Sequence, residues 1–285
     1  PIILGNIFQQ LYSIVDAIVV GNFLGDLPLS GISVASPIVD VANALVIGGT
    51  IGVGVLCAHY CGAGEGERLR CMNATALLGG GALTLLIALC GIFFSTPLLR
   101  AQGTEEAVCR EAAVYLQLVF AGLLFCFLYN YYAAMLRSCG NSRTPFLILL
   151  LSSTLHALLD VLFVGVFGWG IRGVAFSTVL CQALAAAACI LYAQRRCPPL
   201  LLRPANLRFD RQMARLVLSY AWAAALQQAV VCIGRLLVQG MLTPLGTSTV
   251  TGYNMSLRTE QFLFCFSQVT EPLFEAKTDV EINSL

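Results

Sequence analysis

The sequence is poor in charged residues. Aspartate, glutamate, lysine and arginine make up only 11% of its 285 residues, whereas 58% are hydrophobic and the mean hydropathy is +0.82. A soluble domain of this length carries about 25% charged residues, so the composition excludes that class. Lipid tolerates apolar surface on every side, and we therefore expect an all-α, polytopic helical membrane protein.

Other missing features exclude further classes. The net charge is only +1, so no global field attracts nucleic acid. No pair of the twelve cysteines has CxxC spacing, and most lie in apolar runs, where cysteine acts as a small hydrophobic residue. We expect these cysteines to be structural, and we expect no cofactor. We also expect no enzymatic activity, because no motif supplies a nucleophile with an oxyanion site.

Seven apolar segments are long enough to cross about 30 Å of hydrocarbon, which takes about 20 helical residues. Because lipid offers the backbone no hydrogen bonds, each segment should be a helix. The chain opens with Pro1 inside an apolar segment and ends in a polar tail, so we expect both ends to be cut or altered. The seven segments cover residues 1–22, 32–58, 72–96, 111–135, 146–167, 171–193 and 215–242, and an eighth runs from about 248 to 269.

The arginines predict the orientation of these spans. Loops on one side carry ten arginines and loops on the other side carry three. Such a positive-inside bias predicts that the arginine-rich loops and the N-terminus are cytoplasmic, in a multi-pass protein of the cell membrane. The ten are Arg68, Arg70, Arg137, Arg143, Arg195, Arg196, Arg203, Arg208, Arg211 and Arg215, and the three are Arg100, Arg110 and Arg172.

The first and seventh spans resemble one element used twice. The stretch ILGNIFQQLYSIVDAIVVG aligns with AWAAALQQAVVCIGRLLVQ, which places Gln9-Gln10 opposite Gln227-Gln228. Both spans run in the same direction, which predicts two similar lobes of six helices related by an axis along the membrane normal, as in some transporters. The alternative is a chance similarity between two apolar helices.

Asp16 is an ionisable residue inside the first span, where a charged group costs roughly 2.5–3.5 kcal/mol at the helix centre. Gln9, Tyr12 and Asp16 follow a spacing of i, i+3 and i+7, which places them on one helix face. The pattern predicts a polar stripe that faces protein or water. A protonated Asp16 that only joins two helices is the alternative.

Two further spans carry polar residues at a comparable depth. His156 and Asp160 are spaced i, i+4 on the fifth span, and Thr178 lies on the sixth. At about 1.5 Å of rise per residue, Asp16, Asp160 and Thr178 all fall in the outer half of a core about 30 Å thick. Independent packing residues need not agree in depth, so the agreement predicts one shared polar layer. The alternative for His156 and Asp160 is a fixed pair that only joins helices.

Four stretches together resemble the multidrug and toxic compound extrusion (MATE) family. They are PIILGNIFQQLYSIVDAIVVGNFLG, YNYYAAMLRSCGNSRTP, LLDVLFVGVFGWGIRGVAFSTVLCQ and RTEQFLF, in order from Pro1 to about Phe266. The resemblance implies twelve helices in two lobes around a central cavity, and export of organic cations and other amphipathic compounds in exchange for protons or sodium ions. It divides this chain into a six-helix first lobe at 1–193, a cytoplasmic inter-lobe loop at 194–214, two helices of the second lobe at 215–269 and a truncated or aberrant tail at 270–285.

The resemblance also implies a cation-coupling site. Coupled members use an aspartate of the first helix, an Asn-x3-Asp pair of the fifth and a threonine of the sixth, which match Asp16, Asp160 and Thr178 here. His156 replaces the asparagine. Sodium, a hard cation, favours oxygen ligands, whereas an imidazole changes charge near neutral pH. We therefore expect proton coupling, with sodium bound by the two aspartates and the threonine as the alternative.

Several other polar residues are candidates for lining a substrate cavity. Tyr129, with its neighbours Tyr131 and Tyr132, either offers π faces to flat cations or anchors the membrane interface. Asp40 either joins the polar layer or lies in a separate crevice, and Glu260 resembles an acid of the family's eighth helix. The complete candidate set is Gln9, Tyr12, Asp40, Asn43, Tyr129, Asn130, Gln182 and Glu260.

Three competing interpretations are weighed against an exporter of small organic molecules. A flippase for a lipid-linked oligosaccharide, from the same superfamily, should line its cavity with cationic residues, whereas the first-lobe helices here offer acids. A seven-helix receptor should begin outside, whereas the arginines place the start inside. A truncated chain without its second lobe could not alternate access, so we expect activity to require that lobe.

Overall fold

The computed structural model describes residues 21–197, 200 and 209–242, together with the single positions 253, 256, 259 and 260. Within those residues the chain is helical and contains no strand, as the composition predicts. Its helices are α1 (Asp26–Gly62), α2 (Gly66–Ala101), α3 (Glu106–Ser138), α4 (Arg143–Asp160), α5 (Ile171–Arg196) and α6 (Arg211–Leu242). A π-helical segment, Val161–Val166, continues α4.

Six segments in the described part of the chain are long and apolar enough to cross a membrane. They correspond to the second to seventh predicted spans, and each helix extends beyond its predicted apolar segment at one end or both. Sequence hydropathy detects only the part inside hydrocarbon, whereas the backbone continues to hydrogen-bond as a helix into the interface. Helix α5, for example, continues to Arg196, two residues past the predicted start of the inter-lobe loop at 194. The first span, apart from Gly21 and Asn22, and the eighth lie outside the described residues or are described only at single positions.

The bundle is organised around α1 and α3. Helix α1 packs against α3 and α6, α3 packs against α5 and α2, and α4 packs mainly against α5. Short connections make consecutive helices antiparallel. As a result, α1, α3 and α5 end at the side where α2, α4 and α6 begin. We call this side the arginine-rich end, because Arg68, Arg137, Arg143 and Arg196 lie near it.

The surface and the close helix contacts are those of a membrane bundle. Large apolar side chains such as Phe93, Leu151 and Met241 are at least two-thirds exposed, as lipid permits. Where α1 crosses α6, a Cβ added at Gly48 would lie 2.5 Å from the Ala225 Cα. Glycine at that position lets the two backbones meet, which is how helices associate in lipid.

Candidate cation-coupling site

A polar cluster is buried between α4 and α5. His156 and Asp160 lie one turn apart at the end of α4, and Ser177 and Thr178 face them from the second turn of α5. Asp160 is 0% exposed and His156 is 4% exposed. Burying an ionisable pair in this way is costly, so its presence inside a membrane bundle indicates a functional site.

The contacts form a continuous chain across the two helices. His156 Nδ1 lies 2.9 Å from Asp160 Oδ2, and His156 Nε2 lies 2.9 Å from Thr178 Oγ1. Ser177 donates its hydroxyl proton to Asp160 Oδ1 or to the carbonyl oxygen of Val174. Asp160 Oδ2 is at ion-pair distance from the imidazole, yet among the described residues it has no aligned hydrogen-bond donor. This oxygen therefore retains capacity for a proton or a cation.

Counting hydrogens shows that the cluster has two states. The Thr178 hydroxyl can donate to the Val174 carbonyl oxygen, 2.8 Å away, or to His156 Nε2. If it donates to Val174, Nε2 carries the imidazole hydrogen, and a further proton must lie between Nδ1 and Oδ2. If it donates to Nε2, Nδ1–H faces an ionised Asp160. The two hydrogen-bond arrangements thus differ by one proton and by the orientation of one hydroxyl group.

The local backbone changes its winding directly beyond this cluster. The π-helical segment begins at Val161, the residue after Asp160. π-Helical turns inside α-helices are rare and often mark functional sites, because the widened turn displaces the helix register. Here the change in winding separates the end of α4 that carries the ionisable pair from the aromatic residues Phe163 and Phe167.

The predicted coupling residues are partly brought together. His156 contacts both Asp160 and Thr178, whereas Asp16, Gln9 and Tyr12 lie outside the described residues. The shared layer that includes Asp16 therefore stays a prediction. Ser177 was missed, although it contacts the Asp160 carboxyl group directly. The signal available in the sequence was its position next to Thr178 in an apolar span, but a lone serine in such a span commonly bonds only to its own helix, as Ser177 also does.

Asp40 and Asn43, one turn apart on α1, have different neighbours. Asp40 is exposed and is attracted by the positive charge of Arg235 on α6. Asn43 instead faces α3, where its Oδ1 accepts a weak hydrogen bond from Cys126 Sγ at 3.7 Å. Asn130 completes this second group, since its Nδ2 donates to the Cys126 carbonyl oxygen at 2.8 Å. Asp40 therefore lies near α6, and Asn43 packs against α3.

The remaining cavity candidates differ in their environments. Tyr129 is half-buried, and its hydroxyl group approaches the Pro145 carbonyl oxygen at 3.5 Å. Tyr131 is 1% exposed and donates to Asn73 Oδ1 at 2.6 Å, so it belongs to the packed core. The expectation that it lines a cavity or anchors the interface is wrong. Tyr132 is likewise buried, Gln182 is half-buried, and Glu260 is exposed.

A separate cleft of about 440 Å³ opens at the end opposite the arginine-rich end, and none of the predicted site residues lines it. Its walls include Trp169, Arg172 and Phe176. Trp169 stacks on Phe163, with ring centroids 5.0 Å apart. Aromatic side chains and an arginine at the end of a membrane bundle are typical of the lipid–water interface.

These features, six membrane-length helices with an ionisable cluster buried between two of them, define a polytopic helical membrane protein. Comparison with known proteins identifies its family. The family model MatE matches residues 1–162, which is more than half of the chain. The chain therefore belongs to the MatE family of multidrug and toxic compound extrusion proteins.

Individual relatives agree with this assignment. The chain is 29% identical over 262 residues to the probable multidrug resistance protein YoeA of Bacillus subtilis, covering 90% of this chain and 57% of that protein. It is 24% identical over 267 residues to the probable multidrug resistance protein NorM of Thermotoga maritima, covering 91% of this chain and 56% of that protein. The chain thus spans less than three-fifths of the length of these two relatives.

Solved structures share the fold. A MOP superfamily transporter from Pyrococcus furiosus superposes with a TM-score of 0.85 at 21% identity, over 93% of this chain and 59% of that one. A MATE protein in the straight conformation superposes with a TM-score of 0.82 at 22% identity, over 90% of this chain and 58% of that one.

Proposed function

We propose that this chain provides the first lobe, and the beginning of the second, of a cation-coupled antiporter that exports amphipathic or cationic organic compounds across the cell membrane. The observation that carries the proposal is the buried cluster of Asp160, His156 and Thr178 in a member of a family whose relatives are named multidrug resistance and export proteins. The coupling ion is a proton, in preference to sodium.

Proton coupling is supported by the ligands that Asp160 has. A sodium ion prefers several oxygen ligands, whereas the Asp160 Oδ2 atom faces an imidazole nitrogen at 2.9 Å. That contact is favourable when a proton lies between the two atoms or when His156 presents its own N–H. Loss of the proton between these two atoms would place two lone pairs against each other. The contact stays favourable if the cluster instead loses the Nε2 proton, so that Nδ1 keeps a hydrogen and the Thr178 hydroxyl rotates to donate to Nε2.

The exchange cycle follows from this linkage. A proton that arrives from outside neutralises the charge on the cluster and favours the arrangement in which Thr178 donates to Val174. Because α4 and α5 are joined through the cluster, the two protonation states favour different packing of the hairpin. Coupling then requires only that proton and substrate stabilise different conformations of the two lobes. We include Asp16 in the same layer.

Transport in inverted membrane vesicles tests the proposal. The protein tested is the chain joined to the C-terminal part of a relative such as YpnP of Bacillus subtilis, 61% of which the chain matches. An acidic vesicle interior should drive uptake of a fluorescent lipophilic cation in sodium-free buffer, and an ionophore that collapses the pH gradient should stop it. Strict dependence on sodium would overturn the choice of ion.

Substitutions connect this activity to the cluster. Asp160→Asn and Asp16→Asn should abolish uptake while leaving membrane insertion intact. Asp210→Asn is the matched control, because Asp210 is exposed and only caps α6 through its hydrogen bonds with Gln212 and Met213, which an asparagine also makes. Wild-type uptake by the Asp160→Asn protein would remove that residue from the mechanism.

The chain by itself, without the C-terminal part of a relative, tests whether export requires a second lobe. We expect it to insert but not to export, because the inward faces of one lobe cannot by themselves open alternately to both sides. Export by the chain alone would contradict the expected need for a second lobe. Flipping of a lipid-linked oligosaccharide by the joined protein, without uptake of organic cations, would favour the flippase function.

A further inference from the structure

Three cysteine side chains meet at the arginine-rich end, away from the ionisable cluster. Cys57 and Cys61 lie one turn apart near the end of α1, and Cys139 follows the last residue of α3. The Sγ atom of Cys61 lies 4.0 Å from that of Cys57 and 3.2 Å from that of Cys139. All three sulfur atoms lie within 4.8 Å of one another, and none forms a disulfide.

This spacing fits a metal ion held by three sulfur ligands. A metal–thiolate bond of about 2.3 Å places three sulfur atoms around one ion at about 4 Å from each other. The observed separations lie within about 1 Å of that triangle, so small side-chain rotations would complete it. Cys57 is fully buried, whereas Cys61 and Cys139 are half-exposed. The cluster therefore has a closed inner side and an open side through which an ion can enter.

Two helix ends contribute partial negative charge at this point, although the same end of the bundle carries arginines. Helix α1 ends at Gly62 and α3 ends at Ser138, so the partial negative charge of two helix C-termini lies beside the thiols. A bound cation would compensate the charge of the thiolates that bind it.

We propose that Cys57, Cys61 and Cys139 form a three-thiolate site for a soft, thiophilic metal ion such as Cu(I), Zn(II) or Cd(II). Thiolate ligands select these ions over hard cations such as sodium or magnesium. Binding releases the thiol protons and joins the ends of α1 and α3. The site is separate from the proposed coupling cluster, so its test is independent of transport.

Titration with cadmium measures the site directly. The full chain, purified in detergent and kept reduced with a phosphine, should bind one Cd(II) with the ultraviolet charge-transfer absorbance of thiolate–cadmium bonds. Cys61→Ser and Cys139→Ser should each weaken binding by at least about tenfold, since even an outer-shell partner of a metal site is worth that much. Cys71→Ser is the matched control, because Cys71 is also half-buried near the arginine-rich end but lies outside the cluster.

A second measurement uses the unsubstituted chain, so that its result does not depend on whether the substituted proteins fold. Mass spectrometry measures the alkylation of each cysteine. Bound cadmium should slow alkylation of Cys61 and Cys139 and should leave alkylation of Cys71 and Cys90 unchanged. The proposal is overturned if no thiolate–cadmium absorbance develops, if Cys139→Ser binds as tightly as the original chain, or if cadmium protects all four cysteines equally.

Discussion

At the residue scale, we expect the orientation of the Thr178 hydroxyl group to depend on the charge of the buried cluster. The hydroxyl oxygen lies 2.8 Å from the Val174 carbonyl oxygen and 2.9 Å from His156 Nε2. It has one hydrogen to donate, so each protonation state of the histidine–aspartate pair uses a different partner. His156 is therefore the residue whose identity should decide the coupling ion.

Replacing that histidine tests the choice of ion. His156→Asn substitutes an amide oxygen for an imidazole nitrogen and restores an Asn-x3-Asp pattern, so we expect sodium to bind about tenfold more tightly, a difference of roughly 1.4 kcal/mol. Binding of radioactive sodium to the purified chain measures this change. His59→Asn is the control, because His59 is exposed in the last turn of α1. Unchanged sodium affinity in the His156→Asn protein would show that the imidazole does not select the ion.

Tyr131 is a second residue with a specific energetic role. Its hydroxyl group donates to Asn73 Oδ1, and Asn73 Nδ2 donates to the Leu200 carbonyl oxygen at 3.1 Å. This chain of bonds joins α3, α2 and the segment between α5 and α6. The aromatic ring sits in the core between Phe127 and Tyr132, so only the hydroxyl group is specific to tyrosine.

Removing that hydroxyl group should destabilise the bundle. Tyr131→Phe leaves a buried acceptor unsatisfied, which we expect to lower the free energy of unfolding by about 1–3 kcal/mol. Denaturant unfolding in detergent, followed by circular dichroism, measures the effect. Tyr132→Phe is the matched control, since in the described part of the chain the Tyr132 hydroxyl group forms no hydrogen bond. Equal losses in the two proteins would contradict the assigned role of the Asn73 contact.

At the element scale, the crossing of α1 and α6 brings two helix backbones into close contact. A Cβ at Gly52 would lie 2.3 Å from the Tyr220 carbonyl oxygen, so both Gly48 and Gly52 must lack side chains at this crossing. The spacing of four residues places both glycines on one face of α1. Such small-residue faces let membrane helices approach closely.

Adding one methyl group should separate these helices. Gly48→Ala creates a backbone clash with Ala225 that side-chain rotation cannot relieve, and we expect a loss of about 1–3 kcal/mol in stability. Gly49→Ala provides the control, because no atom lies within 4 Å of its added Cβ and alanine favours a helix. Thermal unfolding in detergent should show a lower transition temperature for the first substitution alone. A similar decrease for both would indicate a general helix effect.

The elements also show where sequence reasoning succeeds and where it does not. Long apolar segments locate α1 to α6 because hydrophobic length is a local property of the chain. The i, i+4 spacing likewise places His156 and Asp160 on one face without knowledge of the fold. The contribution of Ser177 depends on how α4 packs against α5, and the sulfur cluster depends on Cys139 meeting α1. Neither contact follows from local spacing.

At the scale of the whole molecule, the arginines predict which side faces the cytoplasm. Loops after α1, α3 and α5 should lie inside the cell, and those after α2 and α4 outside. A green fluorescent protein fused after Asn141 should therefore fluoresce, and alkaline phosphatase fused after Gly103 should be active. Exchanging the two reporters between these positions is the internal control. The reverse pattern would invert the predicted topology and the direction of proton entry.

Composition and hydropathy alone determine that this chain is an all-helical membrane protein, because a bilayer leaves the backbone of an apolar segment no other way to satisfy its hydrogen bonds. Helical spacing alone also pairs His156 with Asp160. Tertiary packing decides the rest: which helix supplies Thr178 and Ser177 to that pair, that Tyr131 lies in the core, and that three cysteines converge. These outcomes depend on contacts between segments that are distant in the sequence. Side-chain packing across the bundle sets how the helices cross, and the local order of residues does not.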